Sequence, residues 1–426
     1  MSLVRTSLLN GFAVAVKVAS AIVLNKVLAL YVGPTGYALV GQFQNAVTVV
    51  VNLTGGLVSA GVTKITAEHF DNEVRQHAVW KTAICFSLCA SLIAAIGIFL
   101  FRDMLSAWLL SRSDMSNVLV FLALALPATA INTLLLAIIN GKKAVGIYVS
   151  ANIIGSVIVM IMTGLLAYNF GLYGALIAFA INPALGMVVT WLFASRAQWL
   201  KIKFLFGRVD PHARRELAGF GLMGLTTALS APITYILIRD CITSKLGLEF
   251  AGYWQASWKI SEIYLMLITT TLTVYYLPRL SEIRSGHDLK SEIFKVYKFV
   301  MPIVLASAIS IYLLRDFIIG ILFSPEFMPM RELFAWQLIG DVIKIGSFVL
   351  AYIMLGRAMV KIYIFSEIFF NATFFVFTFF LVDMWGLRGV AIAYAANYSL
   401  YWAFMVIFIR REITKMPDLS GTVVQS

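Results

Sequence analysis

The sequence predicts an all-α integral membrane protein of twelve spanning helices, arranged as two six-helix lobes. Three observations predict it. Hydrophobic residues make up 61% of the chain and charged residues 13%, against roughly 45–50% and 25% in soluble domains. Long apolar runs such as 84–101 and 369–382 are continuous, whereas barrel strands would alternate at every second residue. A block from the middle of the chain also recurs near its end. Residues 171–182 read GLYGALIAFAIN and residues 386–397 read GLRGVAIAYAAN, identical at seven of twelve positions.

The first half contains spans near 7–31, 38–62, 79–101, 117–139, 147–168 and 172–195. The first carries Lys17 in its middle and lacks a small-residue cleavage site, so it reads as a spanning helix and not as a removed signal peptide. The second half contains spans near 217–243, 251–277, 296–314, 332–356, 360–382 and 389–409. Pro232 is expected to kink or break the seventh span after Ala231, because it lacks an N–H and crowds the preceding turn.

Loop charge sets the orientation. One set of loops and ends holds 22 Lys and Arg residues, the opposite set seven: Arg102, Arg112, Arg239, Lys245, Arg315, Arg331 and Arg388. The positive-inside rule places the rich side and both termini in the cytoplasm. Most of the outer basic residues adjoin an acid, as in Arg102–Asp103 and Arg315–Asp316, so the formal charge of +12 is a property of the cytoplasmic face. An anionic inner leaflet accounts for that charge, and a nucleic-acid partner is not expected.

The repeat has an offset of 215 residues, and the same offset aligns GKKAVGIY at 141–148 with GRAMVKIY at 356–363. Six spans per copy is an even number, so both copies share one orientation, with a cavity expected between them. The expected division is an N-lobe at 1–196, a basic linker at 197–216, a C-lobe at 217–410 and a cytoplasmic tail at 411–426. Cys85, Cys89 and Cys241 read as packing residues, since buried free Cys behaves as a small hydrophobe. His69, His77, His212 and His287 fall in polar loops without ligand spacing, so no protein metal site is expected.

The informative residues are the charges inside the spans: Lys17, Lys26, Lys259, Glu262, Asp341, Lys344 and Glu367. Each costs roughly 2.5–3.5 kcal/mol at a helix centre on insertion scales, so the chain is expected to have a wet polar interior. Gln255, Lys259, Glu262, Thr269 and Thr273 form one stripe on the eighth span, and Gln337, Asp341 and Lys344 one on the tenth. Lys259/Glu262 and Asp341/Lys344 have i,i+3 spacing, so each pair is able to neutralise itself. Such pairs serve transport or simply hold the lobes together. Lys17 has no acid within its own helix, and neither does Glu367; each needs a partner from elsewhere, water or a ligand, and a lone Glu there suits carrying a proton. Lys26 lies near the end of its span, within snorkelling reach of the interface. With Arg239 and Arg331 near the outer rim, the inventory leans cationic, which suits a substrate bearing phosphate or carboxylate.

Several stretches carry a family resemblance. They are VKVASAIVLNKVLALYVGPTGYALVGQFQNAVTV near the start, GVTKITAEHFDN at 61–72, GYWQASWKISEIYLMLITTTLTVYYLPRLSEI at 252–283 and, most specifically, RDFIIGILFSPEFMPMRELFAWQLIGDVIKIGSFV at 315–349. They resemble the Wzx-type flippases of O-antigen and enterobacterial common antigen assembly, over essentially the whole chain. The resemblance implies the multidrug/oligosaccharidyl-lipid/polysaccharide exporter fold, two six-helix lobes in a V around a central cationic cavity. It implies an undecaprenyl-pyrophosphate-linked oligosaccharide moved across the bacterial inner membrane. Lys17, Lys26, Lys64, Arg239, Arg331, Asp341, Lys344 and Glu367 fall where those flippases have like residues. Lys259 departs from the family, which has a small polar residue there, and is assigned to recognition of this chain's own glycan.

On this reading Lys17, Lys26, Lys64, Arg239, Lys259, Arg331 and Lys344 handle the substrate. Glu262, Asp341 or Glu367 carries a coupling H⁺ or Na⁺ while the lobes rock to alternate access. No other cofactor and no catalytic residue is expected. A polysaccharide polymerase and a chain-length regulator are possible partners, and a monomer suffices. Two other readings remain: a multidrug cation/proton antiporter of the same fold, and a membrane glycosyltransferase or polymerase. The cation-rich interior disfavours the first. Short outer loops without a paired-carboxylate motif disfavour the second.

Overall fold

In the computed structural model, residues 3–283, 285–357 and 359–416 are described, with side chains except at 3–10, 12–13, 218–224, 227 and 274. Among the described residues the chain is helical, with no strand. Among these residues eight helices are long and apolar enough to cross a bilayer. Two are far longer than one crossing: Leu3–Val51 has 49 residues and Val145–Ala194 has 50. A straight helix of that length would rise about 75 Å, against a hydrocarbon core of about 30 Å. Each is bent at a glycine in the left-handed region, Gly33 (φ 63°) and Gly171 (φ 56°). Pro34 keeps Gly33 out of the right-handed helical region, and only glycine takes the alternative cheaply. Counting each bent helix as two, and adding Pro211–Lys245 and Leu248–Thr271, gives twelve segments in the expected order.

The backbone repeats where the sequence does. Gly386 has φ 58° and ψ −140°, against 56° and −134° at Gly171. A Cβ on Gly174 would lie 1.9 Å from the Leu166 carbonyl oxygen, and one on Gly389 2.1 Å from that of Leu381. Gly141 and Gly356 each end a helix, and Val145 and Val360 begin the next. Three further correspondences were not read from the sequence. Short helices Arg102–Leu110 and Arg315–Leu322 follow the third span of each copy. The second span of each copy is interrupted by a five-residue π-helical turn, Asn52–Gly56 and Leu272–Tyr276. Gly33 and Gly247, both at positive φ, precede those interrupted spans. Gly171→Ala and Gly386→Ala are therefore expected to be equivalent lesions, each destabilising its own unit by about 1–3 kcal/mol. Thermal melts of both variants in detergent check this; a neutral result at either position would break the equivalence.

Of the kink or break expected at Pro232, the break does not occur: the helix Pro211–Lys245 continues through it, since one missing N–H is tolerated in an apolar span when neighbouring groups re-satisfy the freed carbonyl. One boundary also shifts. The ninth span begins at Gly286, ten residues before the apolar stretch, because its first turns are polar and capped by Ser285, whose hydroxyl accepts from the Asp288 N–H at 3.2 Å.

By compactness the chain forms two units, Met1–Ile236 and Leu237–Ser426. The first has a core around Ile65, Trp80, Ile84, Leu135 and Ile138. The second has one around Leu280, Val304, Ile345, Val349 and Met405. Large apolar side chains such as Ile93, Leu124, Leu313 and Met384 are exposed along the spans, as lipid-facing positions are.

The basic segment after Ala194 is docked on the first unit. Leu200 and Leu205 are buried, and the Phe204 ring stacks on His77 at 3.9 Å. The Lys142 ammonium lies over Phe70, Trp80 and Trp199 at 5.4, 5.8 and 6.0 Å. His77 lies within the helix Glu73–Leu100, not in a loop. Asp210 accepts from the Ala213 N–H at 2.7 Å and from Arg75 at 3.3 Å, and Arg75 also reaches Glu216 at 2.5 Å. The Ala213 N–H, and after it Arg75, hold the Asp210 carboxyl below the usual carboxylate range. A lowered folded value gives a contribution fully present above the unfolded value of about 3.9 and lost as pH falls through the folded one. Limited proteolysis of 195–210 is accordingly expected to be flat from about pH 8 to 5 and to rise below about pH 4. Asp210→Asn should show the faster cleavage at all pH values.

Candidate functional site

The tenth span, Phe334–Gly356, places Gln337, Asp341 and Lys344 toward the interior of the second unit, with Asp341 0% exposed. A buried carboxylate needs donors. Asp341 has three: Ser261 Oγ at 2.6 Å and Tyr264 OH at 2.8 Å on Oδ2, and Tyr394 OH at 2.8 Å on Oδ1. Gln337 extends the network by donating to Ser261 Oγ at 3.2 Å. Three helices meet at this carboxyl. Gly340 makes the meeting possible, since a Cβ there would lie 2.3 Å from the Tyr394 ring.

The expected self-neutralising Asp341/Lys344 pair is not formed. The Lys344 ammonium instead lies among four rings, Trp258 and Tyr398 at 5.2 Å, Phe348 at 5.5 Å and Tyr394 at 5.6 Å. Aromatic faces attract a desolvated cation by roughly 0.5–2 kcal/mol. Three donors already occupy most of the carboxyl's roughly four acceptor sites, and the lysine lies against the rings instead. Lys344 remains within electrostatic reach of both Asp341 and Glu367. Tyr394 joins the two halves of the site, with its hydroxyl on Asp341 and its ring by Lys344.

Glu367 finds partners on its own helix, correcting the expectation that they come from elsewhere. Asn371 donates to Glu367 Oε2 at 3.3 Å, and Tyr363 also hydrogen-bonds the carboxyl. Lys259 and Glu262 do form the expected pair, at 2.8 Å. Arg239, six residues from the end of its helix, is 2% exposed, donates to Gln255 Oε1 and lies over the Trp254 ring at 5.4 Å. Arg331 is half-exposed and pairs with Asp316 at 3.5 Å, while its sequence neighbour Glu332 pairs with Arg388 at 3.1 Å.

In the first unit Lys17 is exposed and Lys26 half-buried. Lys64 is exposed and pairs with Glu68 at 3.5 Å. Buried polar contacts in its spans include Tyr37 to Asn25 at 2.9 Å, Asn182 to Thr163 at 2.9 Å and Thr190 to Asn132 at 2.7 Å. The offset of 215 maps Asp341, Lys344 and Glu367 onto Leu126, Thr129 and Asn152. The scaffold is duplicated, and this charged site is not.

The structure thus brings Asp341, Lys344 and Glu367 into one electrostatic cluster, with Arg239 and Lys259/Glu262 in the same unit. Sequence reading missed Ser261, Tyr264, Trp258, Tyr394, Tyr398 and Asn371. The signal was present for one of them: Asn371 lies four residues after Glu367 on an apolar helix.

The family described as "polysaccharide biosynthesis protein" matches residues 27–332. The chain is 33% identical over 404 residues to the lipid III flippase of Escherichia coli (strain K12), covering 95% of this chain and 97% of the relative, and the lipid III flippase of Shigella flexneri matches to the same extent. Among solved structures, an inward-facing multidrug resistance MATE transporter of the MOP superfamily aligns with a TM-score of 0.77 at 17% identity, covering 96% of both chains. An outward-facing one aligns at 0.63 and 17%, covering 95% of this chain and 96% of the other. The fold is therefore that of the MATE transporters of the MOP superfamily.

Proposed function

We propose that this chain, which belongs to the polysaccharide biosynthesis protein family, is a flippase for an undecaprenyl-pyrophosphate-linked oligosaccharide. It moves the lipid from the cytoplasmic to the periplasmic leaflet by alternating access. The observation that carries the reading is identity of 33% to a lipid III flippase sustained over 95% of the chain. Its cargo is accordingly lipid III of enterobacterial common antigen or an O-antigen-type repeat unit. The protein is a multi-pass membrane protein, and on this reading it sits in the bacterial inner membrane with both termini cytoplasmic.

The second unit supports the reading chemically. Lys344 is a half-buried cation ringed by aromatic faces and able to meet a pyrophosphate, and two carboxyls share its field. With Asp341 and Glu367 both ionised the three side chains sum to a negative charge and disfavour an anionic head group. Neutralising the carboxyls, by H⁺ or a bound Na⁺, reverses that sign and links ion occupancy to substrate affinity. Lys17, Lys26, Lys64, Arg239, Lys259 and Arg331 are assigned to the anionic head group and glycan, and Glu262 is a further carrier of the coupling ion. A polymerase and a chain-length regulator are the partners such a cargo requires next, and a monomer suffices for transport.

The test is the leaflet distribution of the undecaprenyl-pyrophosphate-linked glycan in cells lacking the gene. Cytoplasmic accumulation relieved by the wild-type gene and not by Lys17→Ala is the expected result. Outer-face glycan at wild-type level in cells with no second flippase, together with altered drug sensitivity, would overturn it in favour of a multidrug antiporter.

A further inference from the structure

Two connected chambers in the second unit lie outside the cluster described above. One, of about 400 Å³, is lined mainly by apolar groups, among them Leu272, Tyr275, Tyr276, Val296 and Phe299. The other, of about 330 Å³, is polar and lined by Arg279, Glu282, Ser285, Asp288 and Ser291. Glu292 and Lys295 line both. The apolar chamber adjoins the lipid surface, since Tyr275 and Phe299 are each 65% exposed. The polar chamber lies at the end of the unit that the loop charges assign to the cytoplasm.

Two buried groups here ask for a ligand. Glu292 is 5% exposed, and among the described residues the cation it pairs with, Lys295 Nζ, is 3.9 Å away on a side chain that is 69% exposed. The Tyr276 hydroxyl, fully buried beside the apolar chamber, has no hydrogen-bond partner among the described residues. Both situations cost free energy unless a polar group arrives.

The charges specify which ligand. Among the described residues the polar chamber is lined by three carboxylates and two cations, and Arg279 already meets Glu282 at 3.0 Å. A purely anionic head group meets excess negative charge. A quaternary ammonium head group brings no N–H to Glu292. A head group with a phosphate and a primary amine satisfies both signs: phosphate toward Arg279 and Lys295, ammonium toward Glu292. Its acyl chain then occupies the apolar chamber. We propose that this groove is a binding site for an aminophospholipid of the surrounding bilayer, seated against the π-helical turn Leu272–Tyr276. The site is separate from the cargo cluster, and its occupant comes from the membrane and not from the transported lipid.

The test uses the delipidated, purified full chain in detergent, titrated with dioleoyl phosphatidylethanolamine, phosphatidylcholine or phosphatidylglycerol and read by native mass spectrometry. One phosphatidylethanolamine is expected to be retained, with the other two about tenfold weaker. Glu292→Gln should lower that affinity about tenfold. Lys295→Gln, at an exposed position where folding is not at stake, should do the same. Equal retention of all three lipids, or retention indifferent to both substitutions, would mean annular lipid only and would overturn the proposal. Displacement of phosphatidylethanolamine by undecaprenyl phosphate at equal concentration would also overturn it, by assigning the groove to the cargo. The readout is binding without transport, so its outcome is independent of the flippase reading.

Discussion

Replacing Asp341 by Asn is expected to leave insertion and thermal stability within about 1 kcal/mol of wild type while lowering flipping about tenfold or more. The asymmetry follows from the hydrogen-bond inventory. Asn keeps the volume and one carbonyl oxygen, which still accepts from Tyr394 or from Ser261 and Tyr264. Its amide N–H groups face hydroxyl oxygens that accept as readily as they donate. What the substitution removes is the ability to carry a charge or a titratable proton. Asp341→Ala differs, because it opens a cavity and orphans buried hydroxyls at about 1–3 kcal/mol each. Its abundance should therefore fall along with its transport. Melting in detergent and the leaflet assay, run on both variants, separate the two effects. Wild-type flipping by a stable Asp341→Asn protein would reduce the carboxyl to a structural hub.

That distinction was not available from the sequence, and the reason is instructive. Asp341 and Lys344 are three residues apart on one helix, a spacing that suits an ion pair. The pair fails because donors arrive from two other helices, Leu248–Thr271 and Leu387–Thr414, and because Lys344 finds ring faces within reach of its flexible stem. Neither set of neighbours is local. Glu367 failed in the opposite sense: its partners Tyr363 and Asn371 are local, on its own helical face, and were overlooked in a search for opposite charge. Arg239 sits beside Asp240 in sequence, yet its guanidinium turns to Gln255 and Trp254, partners on a different helix. The duplication was legible because Gly171 and Gly386 sit at positive φ and Gly174 and Gly389 leave no room for a Cβ, so the residue type recurs where the backbone demands it. The π-helical turns were illegible because Asn52–Gly56 and Leu272–Tyr276 share no residue type that encodes them.

Lys344→Met is expected to abolish flipping and to lower stability by about 1–3 kcal/mol. Met preserves the length of the stem and its packing against Trp258 and Phe348, so the loss is that of the cation. Two consequences separate its roles. The cation–π contribution vanishes whatever the carboxyls do. The electrostatic contribution depends on Glu367, which in the variant is left as a half-buried carboxyl without the Lys344 cation in its field. Adding Glu367→Gln should then recover stability that Lys344→Met alone loses, while Glu367→Gln in the wild-type background should not stabilise to the same degree. The double-mutant cycle measures that difference directly, and residues sharing one network typically couple by about 0.5–3 kcal/mol. Coupling with transport still absent would assign Lys344 both roles, counter-charge at rest and anion ligand during turnover. Strict additivity would detach Glu367 from the lysine, and ion coupling through that carboxyl would then have no route to the cation that meets the substrate.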